Sequence, residues 1–487
     1  MTRFAAEREF LCPVCGSPLI QVTPHSRGPL YRLLRLVTAL VVLVLIVAAV
    51  RRLVHAWWPA PAPPPPPHVV VRLEGSRNLG ESLTPQLVQA FLESRKATGI
   101  ATRERVGQPK VISGWLPSER VWLDFRIQSG ESDSAFDALA RHSAEIGMSS
   151  RASGPADAPK LNALGCANLR DCEHVVALDG IAVIVNTANR PVKSYPLSEL
   201  KDIFSGQIRD WRAAGGGPGK INIYCHAPGS GTTETFSQLV LDGAPVGPCF
   251  QTLPGSAAVR EAVRGDPNGI GLVAIPYLAG VKELAVGDTG ASLLRPTPFT
   301  VSTEDYALTR RLYFYTAAKK SPWTQAFLDF VVSDQGQETV EKKSDFVSLR
   351  IHDAAPQPEY RTPDYIRTTK GARRLNTTFH FRSADDVLDT RAWDDVERVS
   401  YFLKSQGYEG KNILLLGFTD SDGGDTRAGK ERNLTFSFRR AQSVSLAFEQ
   451  IKLAGATLKG FGQDMPVSAN STAIGKARNR RVEIWIQ

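Results

Sequence analysis

The sequence lacks a second long hydrophobic run, which excludes a membrane protein with several spans. It also lacks interleaved basic and aromatic side chains, and its net charge of +9 is scattered along the chain, so no nucleic-acid partner is predicted. Its motifs contain no serine, histidine and acid set and no His-rich metal spacing, which predicts a binding protein that requires no cofactor rather than an enzyme. With 42% hydrophobic and 22% charged residues among 487, the composition is that of several globular domains.

The one long apolar run lies near the N-terminus and predicts a transmembrane helix over residues 33–54. Its charge-free part, Leu36 to Val50, is short for a span, but flanking arginines can extend it by snorkelling. Trp57 and Trp58 follow where an interfacial aromatic belt belongs. A cleaved signal peptide is the alternative, and it is disfavoured because the run starts more than thirty residues into the chain and no small-x-small cleavage site follows it.

Charge predicts the orientation of this helix, because more arginines closely precede it than follow it. Residues 1–32 are therefore expected in the cytoplasm, and everything after the helix in the periplasm, with the inner membrane as the anchor. Residues 55–67 form a proline-rich linker, in which the run from Pro59 to Pro67 predicts a polyproline II strut of roughly 28 Å.

The six cysteines divide in agreement with this topology. Cys12 and Cys15, in the sequence CPVCG, form half of a zinc knuckle, and a zinc site, an unliganded pair and a redox-active pair all remain open. The other four lie on the oxidising side, where sequence alone permits three connectivities. We predict Cys166 with Cys172 and Cys225 with Cys249, because each pair closes a modest local loop.

Residues 68–351 alternate strand-like runs with helical stretches, which predicts an α/β domain. Three loops rich in glycine and hydroxyl residues each run into a helix, and so offer free backbone amides and a positive helix end to an oxyanion. A single loop of this kind is equally well explained as an ordinary helix cap. The three loops are Gly75 to Asn78, Ser129 to Ser134, and Gly229 to Thr233.

This domain resembles the periplasmic phosphate-binding proteins of ABC uptake systems (PstS-like), which have a two-lobed α/β fold of the type II periplasmic-binding class. The resemblance rests on five motifs in order: EIGMSSR (145–151), ALDGIAVIVN (177–186), LSELKDIFSGQIRDW (197–211), PGSGTTETF (228–236) and DPNGIGLVAIPYL (266–278). It implies that phosphate or a similar oxyanion binds between the lobes, and an ABC permease or another envelope protein is an expected partner.

The resemblance also implies a set of ligand residues, carried over by motif position: Ser76, Arg77, Ser132, Ser230, Gly231 and Thr232. Many relatives have arginine where this chain has His226, whose imidazole lacks a fixed charge, so anion affinity is expected to depend on pH. Arg151 is the candidate to replace the missing cation, and a solvated arginine at a strand end is the simpler reading.

A polar, proline-bearing linker, residues 352–365, precedes a final α+β domain over 366–487, and the two domains are expected to be independent. The last domain resembles the OmpA-like peptidoglycan-binding domain in the order strand, helix, strand, helix, strand. The resemblance rests on FRSADDVLD (381–389), GFTDSDG (417–423), NLTFSFRRAQSV (433–444), GFGQDMPVSAN (460–470) and KARNRRVEI (476–484).

This second resemblance implies that an aspartate and an arginine hold the zwitterionic end of the diaminopimelate in the peptidoglycan stem peptide. By motif position these are Asp420 and Arg440, a carboxylate for the ligand ammonium and a guanidinium for its carboxylate. Asn433 and Ser437 are placed to add neutral donors, and Arg480 or Arg481 to orient the site. Without the motif, Asp420 would be read as a turn cap paired with Arg440 on a surface.

These features together predict a membrane-anchored periplasmic receptor for phosphate or a similar oxyanion that is tethered non-covalently to peptidoglycan. The alternative is a structural protein, whose middle domain recruits protein partners while the last domain anchors it to the cell wall. The departure at His226 motivates this alternative.

Overall fold

A computed structural model describes residue 14 and residues 29–57, 67–227, 230–354, 362–381, 387–408, 412–453 and 455–487. Cys12 and Cys15, and most of the predicted proline strut, lie outside the described residues. The chain divides into two units, Met1–Pro66 and Pro67–Gln487, which are described separately.

The described part of the first unit contains the helix α1 (Pro29–Trp57). Its segment Leu33–Arg52 is long and apolar enough to cross a membrane, judged by length and composition. The helix extends beyond both ends of the predicted span, because residues flanking the apolar run are also good helix formers.

The second unit begins with a two-lobed α/β domain built on an eleven-stranded mixed sheet. Its helices are α2 (Thr84–Ser94), α3 (Ser132–Ala140), α4 (Ala158–Ala163), α5 (Leu197–Phe204), α6 (Gly231–Val240), α7 (Ser256–Gly265), α8 (Pro298–Ser302), α9 (Pro322–Val332) and α10 (Asp334–Lys343). Its strands are β1 (His68–Ser76), β2 (Thr98–Arg103), β3 (Lys110–Leu116), β4 (Val121–Gly130), β5 (Ile146–Ser149), β6 (Glu173–Val185), β7 (Ser194–Pro196), β8 (Asn222–His226), β9 (Gln251–Leu253), β10 (Gly269–Ala274), β11 (Lys282–Glu283), β12 (Ala285–Gly287) and β13 (Thr309–Tyr315).

Two strands join the lobes of this domain, β6 and β13, which pair antiparallel from Thr309 opposite Gly180 to Tyr315 opposite Glu173. The sheet order is β2-β3-β4-β1-β5-β13-β6-β10-β8-β9, with β11 also paired to β6. Strands on the β5 side of the pair form the first lobe, and strands on the β10 side form the second lobe. The predicted strand at 180–186 is the second half of β6, whose hydrophobic run is buried on both faces.

Each lobe has its own packed side chains. In the first lobe, the rings of Phe91, Phe125 and Phe327 contact one another at centroid distances of 5.0 to 5.9 Å. In the second lobe, Phe204 of α5 packs on Phe236 of α6 at 4.7 Å. Both predicted disulfides are present, Cys166 to Cys172 and Cys225 to Cys249.

The second domain of this unit is an α+β sandwich with the sheet order β14-β15-β18-β16-β17. Its elements are β14 (Asp353–Ala354), α11 (Pro363–Thr368), β15 (Arg373–His380), α12 (Thr390–Ser405), β16 (Ile413–Gly417), α13 (Arg427–Gln450), β17 (Thr457–Gly460), α14 (Ala473–Asn479) and β18 (Arg481–Ile486). The five predicted elements are present, and β14, α11, β17 and α14 are additional, since each is too short to show a clear periodicity. The predicted linker therefore includes β14 and the start of α11.

The two domains are not independent, contrary to the expectation from the linker. They form one unit, with ion pairs between them at Arg374 and Asp305 and at Arg311 and Asp389, both at 2.7 Å. A polar linker indicates a chain boundary, but charged side chains far away in the sequence determine whether two domains dock.

Candidate functional site

The first candidate site lies where three helix starts converge between the lobes. At the end of β1, Gly75 has a φ of +135°, and a Cβ there would stand 2.0 Å from the carbonyl oxygen of Met148. Only glycine permits this approach of β1 to the end of β5. It places the buried hydroxyl of Ser76 beside the first helix start, a π-helical segment (Leu79–Leu83) that continues into α2.

Ser150, which the sequence analysis did not select, joins two of the predicted loops. Its hydroxyl hydrogen-bonds the hydroxyl of Ser76, and its backbone amide donates to the hydroxyl of Ser132 at 3.0 Å. Ser132 is the first residue of α3. Ser150 lies in the motif EIGMSSR, directly after the end of β5. The sequence analysis selects the arginine at the end of this motif and not the serine.

The third helix start is α6, with Ser230 in an extended conformation at its N-cap. A Cβ on Gly231 would stand 1.3 Å from the side-chain oxygen of Asn78, so the first and third helix starts touch across the cleft. Thr232 lies in the first turn of α6. The amides that begin α6 therefore face the same space as the Ser76 loop.

His226 ends β8 and holds the loop before α6. Its Nε2 contacts the carbonyl oxygen of Leu272 at 2.7 Å, and its Nδ1 contacts the Ser230 hydroxyl at 2.9 Å. A carbonyl only accepts, so Nε2 carries the hydrogen, and in the neutral ring Nδ1 accepts from Ser230. Burial lowers the pKa of His226, which keeps the ring neutral at pH 7.

Arg310, on β13, is a second residue that the sequence analysis missed. Its Nε donates to Asp179 of β6 at 3.1 Å, and its Nη2 donates to the carbonyl oxygen of Gly231 at 3.2 Å. The side chain is buried, and its Nη1 has no hydrogen-bond partner. An orphaned guanidinium nitrogen beside the α6 loop is a strong donor for an anion. No local pattern distinguished it within TRRLYFY.

A cavity of about 440 Å³ opens from this loop. Arg77 lines it together with His226 and Ser230, and two acidic side chains, Glu131 and Glu234, lie in the same lining. Burial raises the pKa of Glu234. The cavity lining therefore holds charges of both signs together with the hydroxyl side chains of Ser230 and Thr233.

Arg151 does not line this cavity. Its guanidinium donates to Asp157 at 2.7 Å through Nη1 and to Asp133 at 2.9 Å through Nε, and it lies 4.8 Å from the centre of the Phe136 ring. The Asp157 carboxylate beside it raises the pKa of Arg151. This pairing favours a role in holding the α3 loop over direct contact with an anion.

The second candidate site lies at the start of α13 in the last domain. Asp420, buried at 6% exposure, accepts a hydrogen bond from Arg480 Nη1 at 2.8 Å. The Nε of Arg480 is buried and has no hydrogen-bond partner. Of the two candidate arginines, Arg480 is therefore the one that contacts the Asp420 carboxylate. Arg481 instead pairs with Glu483 and lies 3.9 Å from the centre of the Phe418 ring.

The other predicted residues of this pocket all lie on the inner face of α13. Arg440 donates to the carbonyl oxygen of Phe418 at 3.3 Å, which brings it to the strand end that carries Asp420. Ser437 accepts from the amide of Gly462 at 2.9 Å. Asn433 donates to Gln463 at 2.5 Å. The helix α13 therefore carries Arg440, Ser437 and Asn433, while Asp420 follows β16 and Arg480 ends α14.

The part of the chain that the structure describes contains no group of three or more His, Cys, Asp or Glu side chains that would hold a metal ion. The zinc interpretation of Cys12 and Cys15 concerns residues outside that part.

Comparisons with known proteins agree with the two domains of the second unit. Residues 119–335 match the family model described as PBP superfamily domain, and residues 380–480 match the OmpA family. The chain is 28% identical over 267 residues to the phosphate-binding protein PstS of Bacillus subtilis, which covers 54% of this chain and 85% of that protein.

Two solved structures resemble the two domains. An ABC-type phosphate transport receptor from Vibrio cholerae is 18% identical, with a TM-score of 0.44, and the match covers 56% of this chain and 98% of that one. The peptidoglycan-associated lipoprotein from Burkholderia pseudomallei is 23% identical, with a TM-score of 0.20, and the match covers 23% and 89%. The two family matches identify the chain as one that carries a PBP superfamily domain followed by an OmpA-family domain.

Proposed function

We propose that this protein is a receptor of the cell envelope that binds phosphate or a related oxyanion in its two-lobed domain and attaches to peptidoglycan through its last domain. The observation that carries the proposal is the convergence of three helix starts on one cleft, linked by Ser150 and by the contact of Asn78 with Gly231. Amides and hydroxyls at helix starts stabilise an oxyanion without a counter-ion of their own.

The ligand residues that we propose for the oxyanion lie at the three helix starts and on β13. They are Ser76, Arg77, Ser132, Ser150, Ser230, Gly231, Thr232 and Arg310, with His226 acting through Ser230. Arg310 supplies the fixed positive charge that the neutral His226 ring lacks. Its Nη1 is buried and has no hydrogen-bond partner, so it can donate to an anion.

For the wall, we propose that Asp420 binds the ammonium and Arg440 the carboxylate of a diaminopimelate residue, while Arg480 fixes the acid. The helix α1 supplies a single-pass anchor in the inner membrane, with the N-terminus in the cytoplasm and both domains in the periplasm. An ABC permease is a candidate partner for the receptor.

Thermal unfolding of the full-length protein with a panel of phosphate, sulfate, arsenate and chloride tests the first half. A rise in Tm that continues with the logarithm of phosphate concentration is expected, because a ligand that binds only the folded state stabilises it. Equal Tm values in all four salts would contradict anion binding. Co-sedimentation with purified sacculi tests the second half, and protein that stays in the supernatant would contradict wall attachment.

One observation favours the alternative of a protein-recruiting scaffold, namely the two acidic side chains, Glu131 and Glu234, in the cavity lining. Carboxylates oppose a multiply charged anion. Under this alternative the protein would sediment with sacculi while its Tm would not respond to any of the four anions.

A further inference from the structure

The OmpA-family domain docks on the segment that leads into the crossing strand β13. Arg391 of α12 pairs with Glu304 and donates to the carbonyl oxygen of Ser302 at 2.9 Å. Asp389, at the start of the same helix, accepts from Arg311 at 2.7 Å. These charges are largely buried, so the contact depends on its geometry.

Two further arginines of the last domain hold the same segment. Arg374 donates to Asp305 at 2.7 Å, with both side chains more than nine-tenths buried. Arg478 donates to the carbonyl oxygens of Ala307 and Thr309, each at 2.7 Å. The backbone that enters β13 is therefore held by side chains of the other domain.

The last domain also contacts both lobes. On the second lobe, Asp288 accepts from the hydroxyl of Ser468 and from the amide of Ala469. On the side of the first lobe, the Arg170 guanidinium lies 4.9 Å from the centre of the Trp393 ring. A rotation of the lobes about β6 and β13 would change these two contacts relative to each other.

Side chains alternate between the two faces of a strand, and this alternation joins the two sites. On β13, the side chain of Arg311 and the carbonyl oxygen of Thr309 contact the last domain, whereas the side chain of Arg310 contacts Asp179 and the carbonyl oxygen of Gly231. A displacement of the backbone at 309–311 therefore reaches the anion cleft and the domain contact together.

The wall pocket, formed by Asp420, Arg440 and Arg480, also lies close to the contact between the two domains. Arg478 is two residues before Arg480, which holds Asp420. Ala469, which contacts the second lobe, precedes Asn470, whose side-chain oxygen accepts from the amide of Ser421 beside Asp420. Each binding pocket thus lies within two residues of an anchor of the domain contact.

We propose that the anion cleft and the wall pocket are energetically coupled through this contact, so that occupancy of one changes the affinity of the other. The inference rests on the proposed function, since it needs two ligands. Thermodynamic linkage requires the same coupling factor in both directions. The protein would then hold the cell wall with a strength that reports local phosphate.

Isothermal titration calorimetry on the full-length protein tests the coupling. Inorganic phosphate is titrated with and without saturating L-Ala-γ-D-Glu-diaminopimelate tripeptide, and the tripeptide is titrated with and without saturating phosphate. Each Kd is expected to change by about fivefold or more, by the same factor in both titrations. If both ligands bind and neither Kd changes, the coupling is overturned.

Two variants separate coupling from binding. Arg478→Met and Asp288→Ala remove domain contacts without touching either pocket. The coupling factor, by which one ligand changes the Kd of the other, is therefore expected to fall towards one, while each single-ligand Kd stays within about twofold. The matched control is Asp242→Ala, which removes an exposed ion pair with Lys201 and is expected to keep the full factor. A factor unchanged in both interface variants would show that this contact does not carry the coupling.

Hydrogen exchange distinguishes failure of the coupling from failure of the proposed function. If phosphate gives no heat, the tripeptide alone is expected to change the exchange of the amides at 231–236, and unchanged exchange there overturns the coupling. If the tripeptide also gives no heat, neither ligand binds and the proposed function is wrong. The coupling, which needs two ligands, is then overturned with it.

Discussion

The proposed anion cleft and the proposed wall pocket are built from different kinds of polar group. In the cleft, the groups at the three helix starts are mostly neutral. They are the hydroxyls of Ser76, Ser132 and Ser230 and the amides that begin α6. In the wall pocket, formal charges are buried against each other, Asp420 with Arg480, and Arg440 lies at the same strand end. The cleft therefore distributes its affinity over many weak donors, whereas the pocket concentrates it in a few charges.

This difference predicts different sensitivities to substitution. Removal of one partner from a buried charge pair costs more than the pair itself contributes, because the other charge is left desolvated. Removal of one hydroxyl from a shared donor set costs about 1 kcal/mol. The wall pocket is expected to fail after single changes, and the cleft mainly after changes that alter its backbone.

The largest effect is expected for Asp420→Asn. The change leaves Arg480 buried without its carboxylate and removes the partner of the ligand ammonium, at a cost of about 2–5 kcal/mol in binding. Co-sedimentation with sacculi should show at least a tenfold loss, which 1.4 kcal/mol already produces. Asp422→Asn, two residues away and more exposed, is the matched control. Equal sedimentation of Asp420→Asn and native protein would contradict this role.

The two disulfides sharpen the comparison, because the sequence has four cysteines in the two-lobed domain and none in the last one. The Cys225 to Cys249 bond lines the cavity. Its sequence separation of 24, against 6 for the other bond, predicts losses in unfolding free energy of about 3.5 and about 2.4 kcal/mol on the chain-entropy model. Urea unfolding of the two Cys→Ser pairs measures both losses.

Sacculus binding by the Cys225→Ser/Cys249→Ser variant should persist, whereas its phosphate affinity should fall, because the bond holds the strand of His226. A loss of both activities would show that the wall pocket depends on the cleft fold.

A third test targets the backbone of the cleft. Gly231→Ala places a Cβ where the Asn78 side chain lies, so α6 must shift, at a cost of about 1–3 kcal/mol. Phosphate affinity is expected to fall by about tenfold. Asn78→Ala in the same chain should restore part of the loss, because it removes the clashing atoms.

Gly265→Ala is the control for this substitution, since a Cβ there meets no atom within 4 Å. Native affinity in Gly231→Ala would show that the close approach of the two helix starts does not position the anion.

The smallest effect concerns pH. Burial lowers the pKa of His226, so the ring is neutral at pH 7 and accepts from Ser230. As pH falls through the lowered pKa, below about 6.5, Nδ1 becomes a donor and the Ser230 hydrogen turns to the anion. One added hydrogen bond predicts an affinity gain of about fivefold.

The control for the pH effect is His226→Asn, which removes the imidazole that titrates. The protonation of phosphate itself still changes with pH in this variant. Calorimetry from pH 7 to pH 5 should show a steeper gain for the native protein. Parallel profiles would contradict the relay through Ser230.

Local sequence predicted the features that depend on neighbouring residues. Short motifs predicted the three loops, the two disulfides and an orienting role for Arg480 or Arg481. The structure contains both disulfides, and Arg480 donates a hydrogen bond to Asp420. The three loops follow the ends of β1, β4 and β8, where hydrophobic runs stop.

The sequence did not predict features that depend on residues far apart. Ser150 and Ser76 are 74 residues apart, and Arg310 and Gly231 are 79 residues apart. Arg151 was chosen as the replacement cation from its motif, but the carboxylates of Asp133 and Asp157 engage it. The docking of the two domains is unpredictable for the same reason, since Arg374 and Asp305 are 69 residues apart.

The most direct test of the account is calorimetric titration of the full-length protein with inorganic phosphate at pH 7. The account predicts a saturable heat with one phosphate per chain, which Gly231→Ala weakens and Asp420→Asn leaves within about twofold, because the acid lies outside the cleft. No heat with phosphate from a folded protein that sediments with sacculi would contradict the anion cleft and favour the scaffold.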